Sequence, residues 1–445
     1  MRVQRPPDLR ELIVKVGPKR LSELASNYLG TIPSQYDHWD KLRHREPPEG
    51  LDHEEWWLVT KLARAPALRP LPLTTASGEP FRYALPDEAQ RLLHYIDQRS
   101  SGAIAMPEVV VGDDQARQHY LVNSLMEEAI RSSQLEGATT SRQAAKELLR
   151  SGRPAMDRSE RMILNNYHAL QFMRESMSDE LSPNAVLELQ RILTEGTLDD
   201  PNAAGRLQRP DEERITVRDR ADGRVVHRPP PAEQLSARLD ALCEFANARD
   251  DETNFMHPVV RAILLHFWLA YDHPFEDGNG RTARALFYWS MRVQGYWLTE
   301  YLSISRILRN APGKYGRAFL MSETDAEDTT YFILYQLGVV KRAIGELDDY
   351  LRRKVAEVRE VEGRLESSDS FNHRQLALLS DALRNPEQVY TFTAHARSHG
   401  VTHETARNDI SALHDRGLLA RRRAGRQYVF SPASSLAEDL ARVAC

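Results

Sequence analysis

Along "PVVRAILLHFWLAYD" (258–272), Val260, Ile263, Leu264 and Phe267 recur at three- and four-residue steps, the spacing of one helical face. Pro258 opens the run, where a missing N–H costs nothing because the first helical turn leaves it unpaired. "SPNAVLELQRILTEG" (182–196) starts in the same way, with Ser182 as N-cap and Pro183 behind it. Similar patterns predict helices over 54–64, 87–100, 118–137, 161–176, 232–249 and 283–295, the last closed by Gly295. Residues 328–366 read as one long helix whose charged second half is a connector. The pattern breaks in two places. The proline-rich 65–80 reads as a loop or linker. At 205–231 two β-prone pieces, "RITVRD" and "RVVHR", flank Asp222-Gly223, a hairpin turn pair. From 371 onward a small separate unit begins.

The expectation is a mainly α protein with one conspicuous hairpin and no internal repeat. At 445 residues the chain is long enough for two or three domains of about 150 residues. Hydrophobic residues make up 41% and charged residues 28%, a balance that folds. The net charge of −5 draws neither nucleic acid nor membrane to the chain as a whole, so any such contact needs a local patch. The greasiest run, 262–271, is too short to span a bilayer, and the start lacks a signal peptide's apolar region. Two cysteines, Cys243 and Cys445, without metal-binding spacing, fit a reduced cytoplasmic protein.

The chemistry concentrates in "HPFEDGNGRTAR" (273–284). Gly278 and Gly280 let the backbone turn tightly before a helix, whose first N–H groups and positive dipole end favour an anion. Arg281 and Arg284 lie three apart at that helix start, close enough to serve one polyphosphate. Asp277 is a hard oxygen ligand of the sort a phosphate-bound Mg²⁺ takes. His273, at the end of the preceding helix, can accept a hydroxyl proton near neutral pH. Taken singly, such a histidine is usually structural and a Gly-Asn-Gly only a turn. Their conjunction points to base-assisted attack of a hydroxyl on a nucleotide phosphate.

The stretch matches HxFx[DE]GNGRxxR at every fixed position and so resembles the signature of the Fic domain. The run-in with His257, Pro258 and His266, and the downstream "YLSISRILRNAPGKYGRAF", are similar to the same family, over about 118–345. The resemblance implies a helical core with a β-hairpin flap, a helical N-terminal extension and transfer of AMP from ATP, with Mg²⁺, to a Ser, Thr or Tyr hydroxyl of a target protein or of the chain itself. It implies His273 as general base, Asp277 as metal ligand, Gly278, Asn279 and Gly280 as phosphate nest with Arg281 in support, and Arg284 as clamp on the distal phosphates. The flap, with Ile215, Thr216 and Val217, would dock the target as an added strand. "SSQLEG" resembles the family's inhibitory motif [ST]xxxE[GN], with Ser132, Glu136 and Gly137 in place. There Glu136 would occupy Arg284 and place negative charge where the γ-phosphate belongs.

The segment 391–430 resembles a winged helix-turn-helix, with a turn at Gly400 and a wing around Ala424-Gly425. Arg421, Arg422, Arg423 and Arg426 make its wing basic, and Thr405, Arg407, Asn408 and Ser411 could face a groove. Glu404, Asp409 and Asp415 oppose that pull, and the fold also serves as a protein-docking module. The expected parts are an N-terminal extension (1–115), an inhibitory region (116–150), the Fic core (151–345), a connector (346–370) and the winged helix (371–445). Alternatives stay open: a DNA-binding regulator with a nucleotide-sensing core, use of another nucleotide, removal of AMP, and a second copy of the chain as partner.

Overall fold

The computed structural model describes residues 2–29, 35–100, 114–219, 223–248, 255–366, 370–384, 388–424, 427–433, 435–436 and 439–440. Asp222, Gly425, Arg426 and Cys445 lie outside them. The helices are α1 (Leu9–Tyr28), α2 (Trp39–Leu42), α3 (His53–Arg64), α4 (Asp87–Ser100), α5 (Asp114–Leu135), α6 (Arg142–Ser151), α7 (Arg158–Glu175), α8 (Pro183–Thr194) and α9 (Leu235–Asn247). They continue as α10 (Pro258–Asp272), α11 (Asn279–Val293), α12 (Ile304–Asn310), α13 (Pro312–Thr324), α14 (Thr330–Glu366), α15 (His373–Arg384), α16 (Phe392–His399) and α17 (His403–Asp415). Strands β1 (Arg69–Thr74) and β2 (Pro80–Tyr83), β3 (Val217–Arg218) and β4 (Val225–His227), and β5 (Leu419–Ala424) and β6 (Gln427–Pro432) pair as three antiparallel hairpins. Among the described residues no helix is long and apolar enough to cross a membrane.

Two compact units result, one of residues 1–102 with 124–344, the other of 103–123 with 345–445. At the heart of the first, every residue of α10 from Val259 to Leu269 is buried. The sequence shows one apolar face, but α9 and α11 both pack against the helix, and a helix enclosed on all sides buries more than one stripe. The expected starts are in place: Ser182 Oγ caps α8 ahead of Pro183, and the His257 ring caps α10 ahead of Pro258.

The proline-rich 65–80 is not a linker. Leu71 and Leu73 are buried and alternate with Pro70 and Pro72 in β1, a period of two that the prolines obscure. A two-stranded ribbon leaves one edge of each strand unpaired, so prolines there cost few ladder bonds. Its partner β2 fastens the α13–α14 junction, with Arg82 N donating to Glu327 O (2.9 Å) and Thr329 N to Arg82 O (2.8 Å). The junction is strained, with φ of 54° at Ala326 and 58° at Glu327. The N-terminal segment holds it as well: Tyr36 Oη donates to Asp328 Oδ2 (2.7 Å) and Lys61 Nζ of α3 pairs with Asp325 Oδ1 (2.9 Å).

The second unit has its own core of Phe371, Leu379, Ile410, Leu413, Leu418, Leu419 and Phe430. Gly400 ends α16 in the left-handed region (φ 62°), Thr402 caps α17, and β5 pairs with β6 from Leu419↔Pro432 to Ala424↔Gln427. This helix, turn, helix, hairpin order is the one expected.

Candidate active site

α10 stops at His273, which takes a left-handed conformation (φ 47°) while its N–H still reaches Leu269 O (3.0 Å). A non-glycine residue held there is strained, and the turn that follows holds it in place. Asn279 Oδ1 accepts from Phe275 N (2.9 Å) and its Nδ2 donates to Phe275 O (2.8 Å), so one side chain closes the loop on itself. Gln190 of α8 donates to Asp277 O (3.0 Å), and Thr282 Oγ1 to Gly278 O (2.9 Å). Gly278 is left-handed (φ 85°), and a Cβ there would press on Thr194 Cγ2 at 2.9 Å. No side chain caps α11, so its first N–H groups remain available to an anion.

The two arginines of the motif go to different partners, which revises the picture of both on one anion. Arg281 is buried; its Nη1 donates to Leu193 O (2.8 Å) and its Nη2 to Asp277 Oδ2 (3.1 Å), which braces the turn from below. Arg284 is also buried and faces α5: Nε donates to Ser132 Oγ (2.9 Å), and Nη2 to Ser132 O (3.2 Å) and Glu136 Oε1 (2.7 Å). Its Nη1 has no hydrogen-bond partner among the described residues. Glu136 lies over the turn, for a Cβ on Gly280 would run into its Oε1. Gly137 (φ 110°) then carries the chain away from the site.

His273 lines a cavity of about 480 Å³ together with Glu136, Gly280, Tyr315 and Phe319. Its Nδ1 donates to Ala270 O (3.4 Å), which leaves Nε2 as the basic nitrogen. Burial, then the neighbouring His227, push its pKa down to about 4, so the ring is neutral at physiological pH and Nε2 is free to take a proton.

Residues 180–291 match the model of the Fic/DOC family. Over this segment the chain carries a Fic domain. Over 60 residues it is 45% identical to the protein adenylyltransferase Fic of Nematostella vectensis, 14% of each chain. Over 169 residues it is 31% identical to the protein adenylyltransferase fic-1 of Caenorhabditis elegans, 36% of this chain and 30% of that one. The chain thus spans under a third of the length of these curated relatives. A crystal structure of a Fic family protein from Desulfovibrio desulfuricans G20 shares the fold, with a TM-score of 0.51 at 18% identity over 79% of this chain and 98% of that one.

The flap of the Fic domain is shorter than the sequence suggests. Among the described residues Val217 pairs with His227 and Arg218 with Val225; Ile215 and Thr216 precede the strand. Residues not singled out in the sequence hold it. Arg214 Nη2 donates to Asp272 O (2.9 Å) and His273 O (3.2 Å), Nε donates to Pro230 O (2.9 Å), and Nη1 donates to Gln208 Oε1. Asp272 is itself paired with Arg238 (2.6 Å) and accepts from Trp268 Nε1 (3.0 Å). On α5, the buried Glu128 accepts from Ser303 Oγ (2.9 Å), Ser305 N (3.1 Å) and Ser305 Oγ, and so docks the helix that carries Ser132 and leads into Glu136. The four-residue steps Glu128, Ser132, Glu136 are a signal that could have revealed it.

The uncapped helix start, the glycine cradle and the unpartnered Arg284 Nη1 fit a nucleotide's phosphates. Asp277 is 37% exposed at its side chain, and no cluster of three or more metal-binding side chains occurs among the described residues. That donor set suits a Mg²⁺ bound mainly by phosphate and water, with Asp277 as the protein carboxylate.

Proposed function

We propose that the chain is a Mg²⁺- and ATP-dependent protein adenylyltransferase of the cytoplasm, held off by Glu136. The observation that carries this reading is Arg284, gripped by Ser132 and Glu136 beside a neutral His273. In the step we envisage, a target hydroxyl oxygen bonds to the α-phosphorus of ATP as the bond to pyrophosphate breaks. The hydroxyl proton passes to His273 Nε2 and pyrophosphate leaves. Backbone N–H groups at Gly278, Asn279 and Gly280 take up phosphate charge, Arg281 keeps the turn in shape, and Arg284, once released, clamps the distal phosphates. The metal, when bound, would neutralise phosphate charge beside Asp277. Ile215, Thr216 and Val217 would present the flap edge to the target's backbone.

The same residues suit removal of AMP or use of another nucleotide. Incubating the Glu136→Gly chain and the parent with each nucleoside triphosphate and Mg²⁺, followed by intact-mass spectrometry, separates these cases. A gain of one AMP mass with ATP, larger in Glu136→Gly, is the expected result. No adduct from any nucleotide on the chain or on co-incubated cell proteins would overturn the reading.

A second reading concerns the C-terminal unit, which we take as a winged helix that contacts DNA. Arg407, Asn408, Arg421, Arg422 and Arg423 are exposed, whereas Asp409, which sequence alone sets against binding, is buried and paired with Arg374 (2.7 Å). Binding to genomic fragments should weaken steeply with salt. Arg421→Ala with Arg423→Ala should lower that slope by about 1 for each phosphate no longer neutralised. Absence of a shift at low salt would favour protein docking.

A further inference from the structure

The flap's two stems meet the end of α10. Arg214, ahead of β3, donates to the carbonyls of Asp272 and His273. His227, at the end of β4, reaches Tyr271 O through Nε2 (2.7 Å) and Glu323 Oε2 of α13 through Nδ1 (2.7 Å). Three consecutive carbonyls, 271 to 273, are thus taken up by one stem or the other. Carbonyls at a helix C-terminus lack intrahelical partners and carry the negative end of its dipole, so cations suit them. Both partners of His227 are acceptors: a carbonyl has no proton to give, nor does an ionised carboxylate. Both ring nitrogens must therefore carry hydrogen, and the ring is a cation. It is buried, with the Tyr271 ring 4.8 Å away.

We propose that His227 is a positioning residue: as an imidazolium between Glu323 and the Tyr271 carbonyl, it pins β4 against the helix end that carries His273 and fixes the height at which the flap presents a target hydroxyl. This rests on the adenylyltransferase reading. Arg214 makes the permanent stem, and His227 makes the one that pH can undo. The ionisable groups facing the ring are Glu323 from α13, and Tyr271, Asp272 and His273 from α10 and its end; Asp272 is already paired with Arg238. Burial works against the charged ring, but Glu323, Tyr271 O and Asp272 outweigh it, and its pKa lies above the ordinary histidine value. The pin is therefore in place below that raised pKa and is lost as pH rises through it.

The test uses the full chain with Glu136→Gly, alone and combined with Glu323→Gln or His227→Gln. Hydrogen-exchange protection of Val217, Arg218 and Val225–His227 and AMP incorporation are followed from about pH 5 to about pH 9, a range that spans the ordinary histidine pKa and a raised one. In the parent, flap protection and incorporation should fall together along an alkaline limb, protection by about tenfold, the size of one charge-assisted hydrogen bond. Glu323→Gln should move that limb to lower pH. His227→Gln, which keeps a donor but not a titration, should abolish it. Protection that ignores pH, or a limb in the same place in all three chains, would overturn the proposal. If no chain incorporates AMP while protection still follows the limb, the pin stands and the adenylyltransferase reading falls.

Discussion

In the turn at 273–284 short internal fastenings, Asn279 on Phe275, Thr282 on Gly278 and Arg281 on Asp277, are joined by two to α8, from Gln190 to Asp277 O and from Arg281 to Leu193 O. The flap at 213–228 is tied to the helices by longer reaches: Arg214 reaches 58 residues on to Asp272, and His227 reaches 96 residues on to Glu323. The turn is thus a rigid unit, set by its own side chains and two buried helices. Among the described residues the flap's strands pair at few positions, and its place depends on two cations, Arg214 permanently charged and His227 one that pH can discharge. On the proposed function, one region holds reacting atoms within fractions of an ångström and the other admits a polypeptide and lets it go.

If that division is right, damage to the turn should abolish chemistry and damage to the flap should only weaken it. The largest effect is expected from His273→Ala in a Glu136→Gly background. AMP incorporation should fall by about 10²–10⁴-fold, the usual worth of a general base, while calorimetric ATP affinity stays near the parent's. Retained labelling would remove His273 from the mechanism. Next comes the switch. Glu136→Gly alone should raise incorporation about 5- to 150-fold, the range of a regulatory coupling, and adding Arg284→Ala should erase that gain. Equal rates for parent and Glu136→Gly, at low and saturating ATP, would show that the 2.7 Å pair does not regulate.

The same contrast explains what could be read from sequence. A structure made by neighbours in the chain leaves a local pattern, so the Ser182 cap, the proline starts at Pro183 and Pro258, the turn and the α10 stripe were all legible. Glu136 and Arg284 are distant in sequence, and only the family resemblance brought them together. Arg214 and His227 left no trace, because an arginine and a histidine in a polar hairpin look like any solvated pair. The β1 strand was legible in principle, but Pro70 and Pro72 masked the alternation of Leu71 with Leu73. A histidine at the end of an apolar helix announces neither its left-handed backbone nor its depressed pKa, since both arise from what packs around it.

Stability offers a smaller, cleaner separation. Asn279→Ala would leave Phe275 N and O buried and unpaired, at a cost of about 1–3 kcal/mol, visible as a lower Tm and denaturation midpoint. Arg214→Ala, at a half-exposed hairpin stem, should shift the midpoint far less and instead reduce flap protection and AMP incorporation. Equal losses of stability in both variants would mean that the flap is as integral to the fold as the turn.

The smallest expected effect joins the two regions. An ordinary histidine base would lose activity as pH falls through about 6.5. His273, with its pKa near 4, should keep Nε2 free well below that, so incorporation by Glu136→Gly should stay nearly flat from neutral pH down to about pH 5. Burial is the main cause, and the charge on His227 the second. Removing that charge with His227→Gln takes away a like-charged neighbour, which makes protonation of His273 easier and raises its pKa. The acid limb of the pH profile should therefore move upward, by less than the shift that burial alone maintains. An acid limb unchanged by His227→Gln would mean that the flap does not tune the base, and that the turn sets its chemistry alone.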